Sequence, residues 1–502
     1  MIMGLSHYIY IFHTLTNHLA MKMLSLCVCL IAPILSAFGA TNWSLQGKDY
    51  NVDTLNHISV GPGTTLTSLR LTGTQNLNIF YTTTDLSNPV IDMRVLKAKN
   101  TIYARQEVSG MALDNDNDST QYFLGVNADF FNMRRGNSIG SQISSSAPIY
   151  VDNNGRTQWA CMPNKQVIMD EMKINCVATF GNNKANLSGI NTVASTNSLT
   201  LYTPMYGATT DSVANASEII LLPIKDPLTI GKVTKMKVES SPKVGGATAI
   251  PSNGYVLSGT DFQGLGINYL KKGDIIEIST TVALPNGTTI NSTEVVSGYP
   301  VILRNGETTD PVDILKHLNG LHPRTAVGND ASGRYLTILI VDGRSEVSDG
   351  CTSKVLADIM RYVGCDDAIN LDGGGSSELY VKNLGICNVP SDGVERTVAN
   401  GLYAVAKVPV DNEITSIAFA NYRTSLKQGD SYTPVIYGYN KYGILIDSNV
   451  KGIKLNCSKK AGSIKGDSFI AKEIGTHTLT ARLGKLSATT TIIVAHPTVN
   501  QL

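Results

Sequence analysis

"RYLTILIVDGRSEVSDGCTSKVLADIMRYVGCDDAINLDGGGSS", residues 334–377, is the stretch that decides the fold of this chain. Its first part, residues 334–344, is an apolar run typical of a buried strand that ends in an acid, a glycine and an arginine. The middle part, residues 348–365, has apolar residues at helical spacing, and residues 367–372 predict a second apolar strand. Strand, helix and strand in this order predict a βαβ unit whose two strands are parallel.

The two predicted strands end at the same edge of their sheet, because parallel strands run in one direction. Asp342 closes the first strand and Asp372 closes the second, so we expect the two carboxylates to emerge side by side. Ligands of open α/β sheets bind beyond the carboxyl ends of the strands. The sequence therefore predicts a ligand site around Asp342, Arg344 and Asp372.

Three consecutive glycines follow Asp372, and two serines follow the glycines. A structural turn needs one or two glycines, so three in a row indicate that something approaches the backbone closely. Successive amides in such a turn can form a nest for phosphate oxygens, to which the hydroxyls of Ser376 and Ser377 add donors. The alternative interpretation is a tight glycine hairpin in which the two strand-end carboxylates cap loops.

Length and composition indicate a globular protein with more than one domain. The chain has 502 residues and a formal net charge of +1, with no basic stripe or RNP-like aromatic motif, so nucleic acid is not expected as a partner. Residues 41–408 are predicted to form one mixed α/β region of the α+β class that contains the βαβ unit. Residues 411–496 contain short alternating strands, which predict a small all-β immunoglobulin-like sandwich acting as a spacer or adhesion module.

A lysine followed by an apolar run and small residues, "MKMLSLCVCLIAPILSAFGA", occupies residues 21–40 and is typical of a secretory leader. We therefore assign residues 1–40 to a leader with an upstream extension. The protein is expected to be bacterial and exported to the periplasm, the cell surface or the extracellular space. An uncleaved leader acting as a single membrane anchor is the alternative, although the run is short for a span.

Six cysteines lie beyond the leader, and none forms a CxxC pair, so a zinc site is unsupported. Export makes disulfides chemically accessible. Cys161 and Cys176 are expected to be able to close a hairpin around the intervening segment. Cys351 and Cys365 are not expected to pair, because they bracket the predicted helix and a helix rises ~1.5 Å per residue.

Three further segments place polar groups where a site would need them. "GVNADFFN", residues 125–132, sets Asn127 and Asp129 before two phenylalanines, which indicates polar groups above an aromatic floor. Arg324 in "HPRTAVG" follows a proline, and its planar fork suits bidentate contact with phosphate or carboxylate. Arg396 lies directly before another predicted strand. Taken singly, these residues have alternatives: a turn above core phenylalanines, or solvated surface arginines.

One acidic run, "DNDND" at residues 114–118, resembles the start of a calcium loop. Ser119 stands where such a loop needs a glycine, and Gly125 stands where it needs a bidentate glutamate, so a structural role is favoured. The sequence requires no cofactor. Calcium or magnesium stays an open alternative, since metal-assisted phosphoryl transfer would use the same strand-end acids as ligands.

Eight motifs together resemble one family, the phosphodiester glycosidases, in which they occur in the same order; in this chain they fall within roughly residues 57–407. They are "NADFF", "TPMYG", "IPSNGYVLSG", "SGYPVILRNG", "HPRTAVG", "ILIVDGR", "AINLDGGGSSEL" and "ERTVANGL". The "NLDGGGSS" core is the most specific of them. The resemblance implies hydrolysis of a sugar-1-phosphate diester to sugar and phosphomonoester, with a phosphorylated glycan or sugar-1-phosphodiester as the partner.

For that reaction, Asp372 and Asp342 are the candidates for activating water or attacking the anomeric carbon, and Arg324 is expected to neutralise the phosphate. Substrate contacts are expected from ten further residues: Asn127, Asp129, Arg344, Asn370, Gly373, Gly374, Gly375, Ser376, Glu378 and Arg396. Among these, Glu378 is a reserve acid. The alternative is a surface protein that binds carbohydrate or phosphate, or acts in adhesion, with a degenerate active site. The presence of all the expected acids and arginines favours the enzyme.

Overall fold

The structure, a computed structural model, describes residues 41–309 and 319–496. The predicted leader, residues 1–40, lies outside the described residues. About half of the described chain is β-strand, and its helices are few and short. Within the same ranges, no helix combines the length and the apolar character needed to cross a membrane.

The first half of the described chain contains these strands: β1 (Thr41–Leu45), β2 (Lys48–Gly61), β3 (Thr64–Thr72), β4 (Asn76–Asp85), β5 (Ile91–Lys97), β6 (Gln121–Asn127), β7 (Gln142–Ser144), β8 (Ala147–Tyr150), β9 (Thr157–Cys161), β10 (Val167–Asp170), β11 (Lys173–Phe180), β12 (Asn183–Asn186), β13 (Gly189–Ile190), β14 (Leu199–Tyr202), β15 (Ala216–Pro223), β16 (Val233–Val238), β17 (Lys243–Val244), β18 (Tyr255–Thr260), β19 (Ile275–Ala283) and β20 (Thr289–Ile290).

The second half continues with these strands: β21 (Glu294–Gly298), β22 (Val301–Arg304), β23 (Glu307–Thr308), β24 (Arg324–Asn329), β25 (Tyr335–Val341), β26 (Asp367–Asn370), β27 (Leu379–Val381), β28 (Gly385–Ile386), β29 (Asn400–Ala406), β30 (Ser416–Phe419), β31 (Arg423–Lys427), β32 (Ser431–Tyr432), β33 (Ile436–Tyr439), β34 (Leu445–Asp447), β35 (Lys454–Cys457), β36 (Gly462–Lys465), β37 (Ser468–Ala471), β38 (Gly475–Leu483) and β39 (Leu486–Ala495). Within residues 41–309 and 319–496, the α-helices are α1 (Val108–Asn115), α2 (Asp261–Ile267) and α3 (Ser353–Tyr362), and short 3-10 turns lie at Ala98–Asn100 and Gly374–Ser376.

A nine-stranded sheet holds the segment that decides the fold, in the order β1-β2-β3-β4-β25-β24-β26-β22-β23. Strand β24 pairs antiparallel with β25 on one side and with β26 on the other, so β25 and β26 are parallel to each other. Helix α3 connects them, which confirms the predicted βαβ unit. The expectation that Asp342 and Asp372 emerge side by side is wrong, because β24 begins between them at Arg324.

The nine-stranded sheet separates two hydrophobic cores, since successive strand side chains point to opposite faces. On β25, Leu339 and Val341 face a core that contains Leu356 and Ile359 of α3. Their neighbours on the same strand, including Ile340, belong to the core on the other face. Thr352 caps α3, and its hydroxyl accepts a hydrogen bond from the amide of Val355 at 3.3 Å.

A second sheet, which we call the β6 sheet, packs on the face away from α3 in the order β28-β27-β6-β29-β5. Val126 of β6, Leu379 of β27 and Leu402 of β29 share a core with Ile340 and Leu371 of the nine-stranded sheet. The two sheets therefore bring the end of β6 against the end of β26. The predicted site residues lie where these two ends meet.

We call the core shared by the nine-stranded sheet and the β6 sheet the central core. A five-stranded sheet, in the order β10-β9-β21-β7-β8, lies between this central core and a peripheral lobe. On β9, Trp159 belongs to the central core, while Ala160 belongs to the core of the lobe. The lobe is built on a ten-stranded sheet with the path β12-β11-β19-β16-β15-β18-β14-β13. In the five-stranded sheet, Thr157 at the start of β9 pairs with Gly298 at the end of β21. The residue before β9 and the residue after β21 are therefore neighbours.

The C-terminal region forms three small sheets: β30-β33-β34, β31-β39-β38-β35 and β32-β37-β36. The strands predicted there from alternating residues are confirmed, and they enclose a core of their own. The region also packs on the rest of the chain. Ile444 is fully buried in the central core, and Leu445 accepts a hydrogen bond from the Asn383 amide at 2.8 Å. The region is therefore packed against the rest of the chain, and its role as a spacer or adhesion module stays a prediction.

The expectation that Cys161 and Cys176 can form a disulfide is wrong. Both are free thiols, as are the other cysteines among the described residues. Cys161 ends β9 in the five-stranded sheet, whereas Cys176 pairs with Thr280 in the ten-stranded sheet. The two cysteines therefore face different neighbours in different sheets.

Candidate active site

Asp372 lies where the end of β26 meets the end of β6. Its amide donates a hydrogen bond to the carbonyl of Ala128 at 2.8 Å. Its carbonyl accepts one from the side-chain amide of Asn127 at 2.6 Å. The Asn127 side-chain oxygen also accepts from the Thr325 hydroxyl at 3.1 Å and from the Glu378 amide at 3.2 Å. Asn127 is fully buried, so these contacts make it a residue that fixes the backbone around Asp372.

The glycine run is explained by what lies against each glycine. A Cβ on Gly373 would stand 2.8 Å from the carbonyl oxygen of Pro323. One on Gly374 would stand 3.1 Å from a guanidinium nitrogen of Arg344, and one on Gly375 would stand 2.0 Å from a guanidinium nitrogen of Arg396. Two arginine head groups therefore lie directly on the glycine backbone. The glycines make room for these two cationic groups. The sequence predicted that something approaches the backbone closely, but not which groups.

The amides of the glycine run are largely engaged within the protein. Gly373 donates to the Asp372 carboxylate at 3.0 Å, and Gly374 donates to the carbonyl of Pro323 at 2.9 Å. Ser376 donates to the carbonyl of Gly373 at 3.3 Å. The expected amide nest for phosphate is therefore not the arrangement found. Anion binding at this loop depends on the two guanidinium groups above it.

Asp372 is half-buried, and burial raises the pKa of its carboxylate to about 6. The Ser376 hydroxyl and the Gly373 amide oppose this rise, followed by the charges of Arg396 and Arg156. Asp372 is therefore ionised at neutral pH and lies close to its protonation threshold. Carboxylates tuned in this way are typical of catalytic acids and bases.

Asp129 supplies the second carboxylate of the site. It is 2% exposed, and one oxygen accepts a hydrogen bond from the Gly140 amide at 2.8 Å. The other oxygen lies 3.5 Å from a guanidinium nitrogen of Arg156. Burial raises the pKa of Asp129 to about 7, and the negative charge of Asp372 contributes to this rise. The charge of Asp372 therefore acts on Asp129, and the two carboxylates lie within electrostatic range of each other.

Arg156 is the site residue that sequence reasoning missed. Its guanidinium lies over the ring of Phe130, 4.8 Å from the centroid, and over the ring of Tyr299 at 5.4 Å. Arg156 precedes β9 and Tyr299 follows β21, at the paired ends of the five-stranded sheet. No spacing in the sequence distinguishes Arg156 from a surface arginine. Tyr299 lies in "SGYPVILRNG", so the family resemblance was a usable signal for it.

Asp342, the other predicted catalytic acid, faces a different loop. It is 2% exposed, and it accepts hydrogen bonds from the Asn388 side chain at 3.0 Å and from the Val389 amide at 3.2 Å. Burial raises its pKa to about 6, and these two donors oppose the rise. The structure therefore does not bring the carboxylates of Asp342 and Asp372 together. Asp342 holds the loop that follows β28.

Arg324 lies on the α3 side of the nine-stranded sheet. It is 5% exposed, and its guanidinium donates to the carbonyls of Cys351 at 2.9 Å and Gly320 at 2.8 Å. Burial lowers its pKa, and the positive charge of Arg344 lowers it further. The next residue, Thr325, points to the opposite face, where it contacts Asn127. The structure therefore places Arg324 below the loop that carries Arg344 and away from Asn127.

Arg344 and Arg396 are the predicted arginines that reach the glycine run. Arg396 donates to the Asp392 carboxylate at 2.7 Å and to the Ser376 hydroxyl at 3.3 Å. Arg344 is exposed, and a guanidinium nitrogen lies 3.3 Å from Nδ1 of His322. Its φ of 59° is in the left-handed region, which is costly for a side chain of this size. Such backbone strain concentrates at functional sites.

Glu378 and Asn370 lie beneath the site and are fully buried or nearly so. Glu378 accepts a hydrogen bond from the Arg396 amide, and burial raises its pKa to about 8. It is therefore mostly protonated at neutral pH. Asn370 donates to the carbonyl of Tyr299 at 2.8 Å. One side-chain oxygen of each has no partner among the described residues.

The acidic run at residues 114–118 is not arranged as a calcium loop. Asp116 accepts a hydrogen bond from the Tyr122 amide at 2.6 Å and forms an ion pair with Lys382. Asn117 accepts from the amides of Ser119 and Thr120, which closes a turn after α1. Over residues 41–309 and 319–496, no three His, Cys, Asp or Glu side chains are grouped so that they could hold a metal ion.

Comparison with known proteins finds proteins that are similar to parts of this chain. Residues 229–405 match the family model of phosphodiester glycosidase. Residues of the chain are 45% identical over 85 residues to the uncharacterized SPbeta prophage-derived protein YomE of Bacillus subtilis, covering 17% of this chain and 13% of that protein. They are 33% identical over 112 residues to N-acetylglucosamine-1-phosphodiester alpha-N-acetylglucosaminidase of Mus musculus, covering 20% and 21%. The chain thus matches only a small part of these relatives.

A solved structure shares the fold. A hypothetical protein from Synechocystis superposes with a TM-score of 0.55 at 16% sequence identity, covering 68% of this chain and 62% of that one. At this identity the likeness shows the fold alone. The stretch matched by the family model contains Arg324, Asp342, the glycine run and Arg396. The predicted resemblance of this chain to the phosphodiester glycosidase family is therefore confirmed, and it rests on residues 229–405.

Proposed function

We propose that this protein hydrolyses a sugar-1-phosphate diester and releases the free sugar and a phosphomonoester. One observation carries the proposal: the interacting carboxylates of Asp129 and Asp372 lie beside a glycine run covered by two guanidinium groups. The family match supports the same reaction class. The name of the mouse relative makes α-linked N-acetylglucosamine the first sugar to test.

We assign the phosphate to Arg344 and Arg396. Planar guanidinium groups match phosphate oxygens in a bidentate manner. Arg344 is exposed, and Arg396 is held over the loop by Asp392 and Ser376. Arg324 takes a supporting role in this assignment, because its donors are engaged with backbone carbonyls.

We assign the sugar to the space next to Asp372, Asp129 and Arg156. The partly exposed rings of Phe130 and Tyr299 flank the Arg156 guanidinium and offer apolar faces for a sugar ring. Arg156 also keeps positive charge beside both carboxylates, which favours their ionised forms. Asp129, with the higher pKa of the two, keeps its proton longer and can hydrogen-bond a sugar hydroxyl.

In the reaction, the bond between the anomeric carbon and the bridging oxygen breaks. The bridging oxygen leaves with the electron pair on the phosphomonoester, which needs little protonation. The ionised carboxylate of Asp372 either accepts a proton from the attacking water or forms a covalent bond that water then hydrolyses. In both cases the water oxygen ends on the anomeric carbon. Export to the periplasm, the cell surface or the extracellular space is part of the proposal.

The test is hydrolysis of the methyl phosphodiester of α-N-acetylglucosamine 1-phosphate in ¹⁸O-labelled water. We expect equal release of N-acetylglucosamine and methyl phosphate, with the label on the sugar. Label on the phosphate would mean attack at phosphorus, and loss of activity with a chelator would then indicate metal-assisted phosphoryl transfer. Binding of the diester without turnover, across a panel of sugars, would favour a carbohydrate-binding protein with a degenerate site.

A further inference from the structure

A second cationic patch adjoins the site on the side of Asp129. We call it the Arg135 patch, and it consists of Tyr103, Arg134 and Arg135. Both arginines are exposed, and neither forms an ion pair with a residue that the structure describes. The guanidinium of Arg135 lies over the ring of Tyr103, 5.4 Å from its centroid. Stacking on an aromatic ring fixes the guanidinium plane while its donors stay available.

Both ends of the turn that carries the arginines are connected to Asp129. It begins directly after Asp129, and Gly140 at its far end donates to that carboxylate at 2.8 Å. Between these points, the Asn132 side chain accepts hydrogen bonds from the amides of Arg134 and Arg135, each at 3.0 Å. The Gly136 amide donates to the Asn132 carbonyl at 2.7 Å. The backbone under the arginines is therefore fixed relative to the candidate active site.

Lys97 joins this turn to the segment that carries Tyr103. It is 4% exposed, and its ammonium donates to the carbonyls of Ala399 at 2.7 Å, Gly136 at 3.2 Å and Ala104 at 3.4 Å. A Cβ on Gly136 would stand 3.1 Å from the carbonyl oxygen of Ala104, so the two backbones touch. The stacking of Arg135 on Tyr103 thus follows from a buried lysine and a glycine contact.

One buried side chain, Tyr150, is affected by charges of both the patch and the site. Tyr150 lies within charge–charge range of Asp129, Arg135 and Tyr103. The glycine run with Arg344 and Arg396 lies instead beside Asp372. The two groups of arginines therefore lie on different loops of the site: the turn after Asp129 carries Arg134 and Arg135, while Arg344 and Arg396 lie on the glycine run.

We propose that the Arg135 patch binds a second phosphate group, one carried by the sugar itself. The inference rests on the proposed function, because it concerns the substrate of the same site. A sugar with a phosphodiester at its anomeric carbon and a phosphate at another hydroxyl would place one anion on each group of arginines. The substrate class would then be a glycan whose units are joined through phosphates.

The test compares two substrates: the methyl phosphodiester of α-N-acetylglucosamine 1-phosphate and its 6-phosphate derivative. Wild type should have the lower KM for the derivative, and added salt should weaken this preference. In Arg135→Gln, the ratio of kcat/KM for the derivative to that for the parent diester should fall about tenfold, as expected for one charge-assisted contact. Arg482→Gln, an exposed arginine of β38, is the matched control and should leave the ratio unchanged.

Binding of N-acetylglucosamine 6-phosphate, measured by calorimetry, separates the two proposals. It should weaken in Arg135→Gln and not in Arg482→Gln, whether or not wild type hydrolyses the diesters. If wild type hydrolyses both substrates and Arg135→Gln alters neither the ratio nor the binding, the patch has no phosphate role. If wild type hydrolyses neither while the binding loss is seen, the proposed reaction fails and the patch stands.

Discussion

The loop after β25 and the loop after β26 leave the same sheet at the same edge, and each begins with an aspartate whose pKa burial raises to about 6. Their surroundings differ. Asp342 is held by donors from one neighbouring loop, at Asn388 and Val389. Asp372 has its own glycine run, two arginines above that run, and the Asp129 carboxylate beside it.

This difference shows that the end of a strand determines where an aspartate lies at the edge of the sheet, while the neighbouring loops determine which groups its carboxylate contacts. Strand β24 lies between the two aspartates, and the β6 sheet brings Asp129 only to Asp372. A raised pKa is shared by both aspartates and so does not identify the reactive one. The partners of each carboxylate do, and variants of the two loops can test this.

The largest effect is expected for Asp372→Asn. If Asp372 activates water or attacks the anomeric carbon, its loss should lower kcat by roughly 10²–10⁴-fold, the range found for acid–base groups. The same change at Asp342 is the matched control, and it should cost less than a tenth as much activity. Initial rates with the methyl phosphodiester, together with circular dichroism to verify folding, measure both variants. Equal losses in the two folded variants would remove the distinction between the loops.

Gly375→Ala should have the next largest effect. The added Cβ would meet the Arg396 guanidinium at 2.0 Å, so the arginine must move away from the loop. We expect a loss in kcat/KM on the order of tenfold to a hundredfold, the worth of one charge-assisted phosphate contact. Gly266→Ala is the control, because open space surrounds that glycine of α2. Unchanged kcat/KM in a folded Gly375→Ala would show that Arg396 does not contact the substrate.

The pH dependence separates the two aspartates although their pKa values are similar. Because the reaction needs ionised Asp372, kcat/KM should fall below an apparent pKa near 6 and approach a tenfold loss per pH unit. This acid limb should persist in Asp342→Asn, since Asp342 titrates outside the reaction. Rates between pH 4.5 and 8 measure it. If the acid limb disappears in Asp342→Asn, the group that titrates in the reaction is Asp342 and not Asp372.

Much of this arrangement follows from the sequence, and the missing parts have physical causes. The βαβ unit was predictable because strand and helix periods are local. The insertion of β24 between its strands was not, because residues 324–329 precede the unit in the chain and their pairing is long-range. The glycine run predicted that some group approaches the backbone closely. Which groups do so depends on how the loops that carry Arg344 and Arg396 fold. Arg156 had no local signal, since its role arises from pairing between β9 and β21.

The smallest effect on activity is expected for Asp342→Asn, whose consequence should be stability. The Asp342 carboxyl accepts hydrogen bonds from Asn388 and from the Val389 amide, and an asparagine side chain offers an NH₂ group to one of these donors. The variant should therefore have a lower Tm than wild type.

The pH dependence of this Tm difference follows from the raised pKa of Asp342. A carboxyl whose pKa is higher in the folded protein contributes stability that is fully present below its unfolded pKa, near 4, and is lost as the pH rises through 6. The asparagine does not titrate. The gap in Tm between wild type and Asp342→Asn should therefore be larger at pH 4.5 than at pH 7.5, as measured by scanning calorimetry. A gap that widens with pH would mean that the two donors stabilise the ionised form more than burial penalises it.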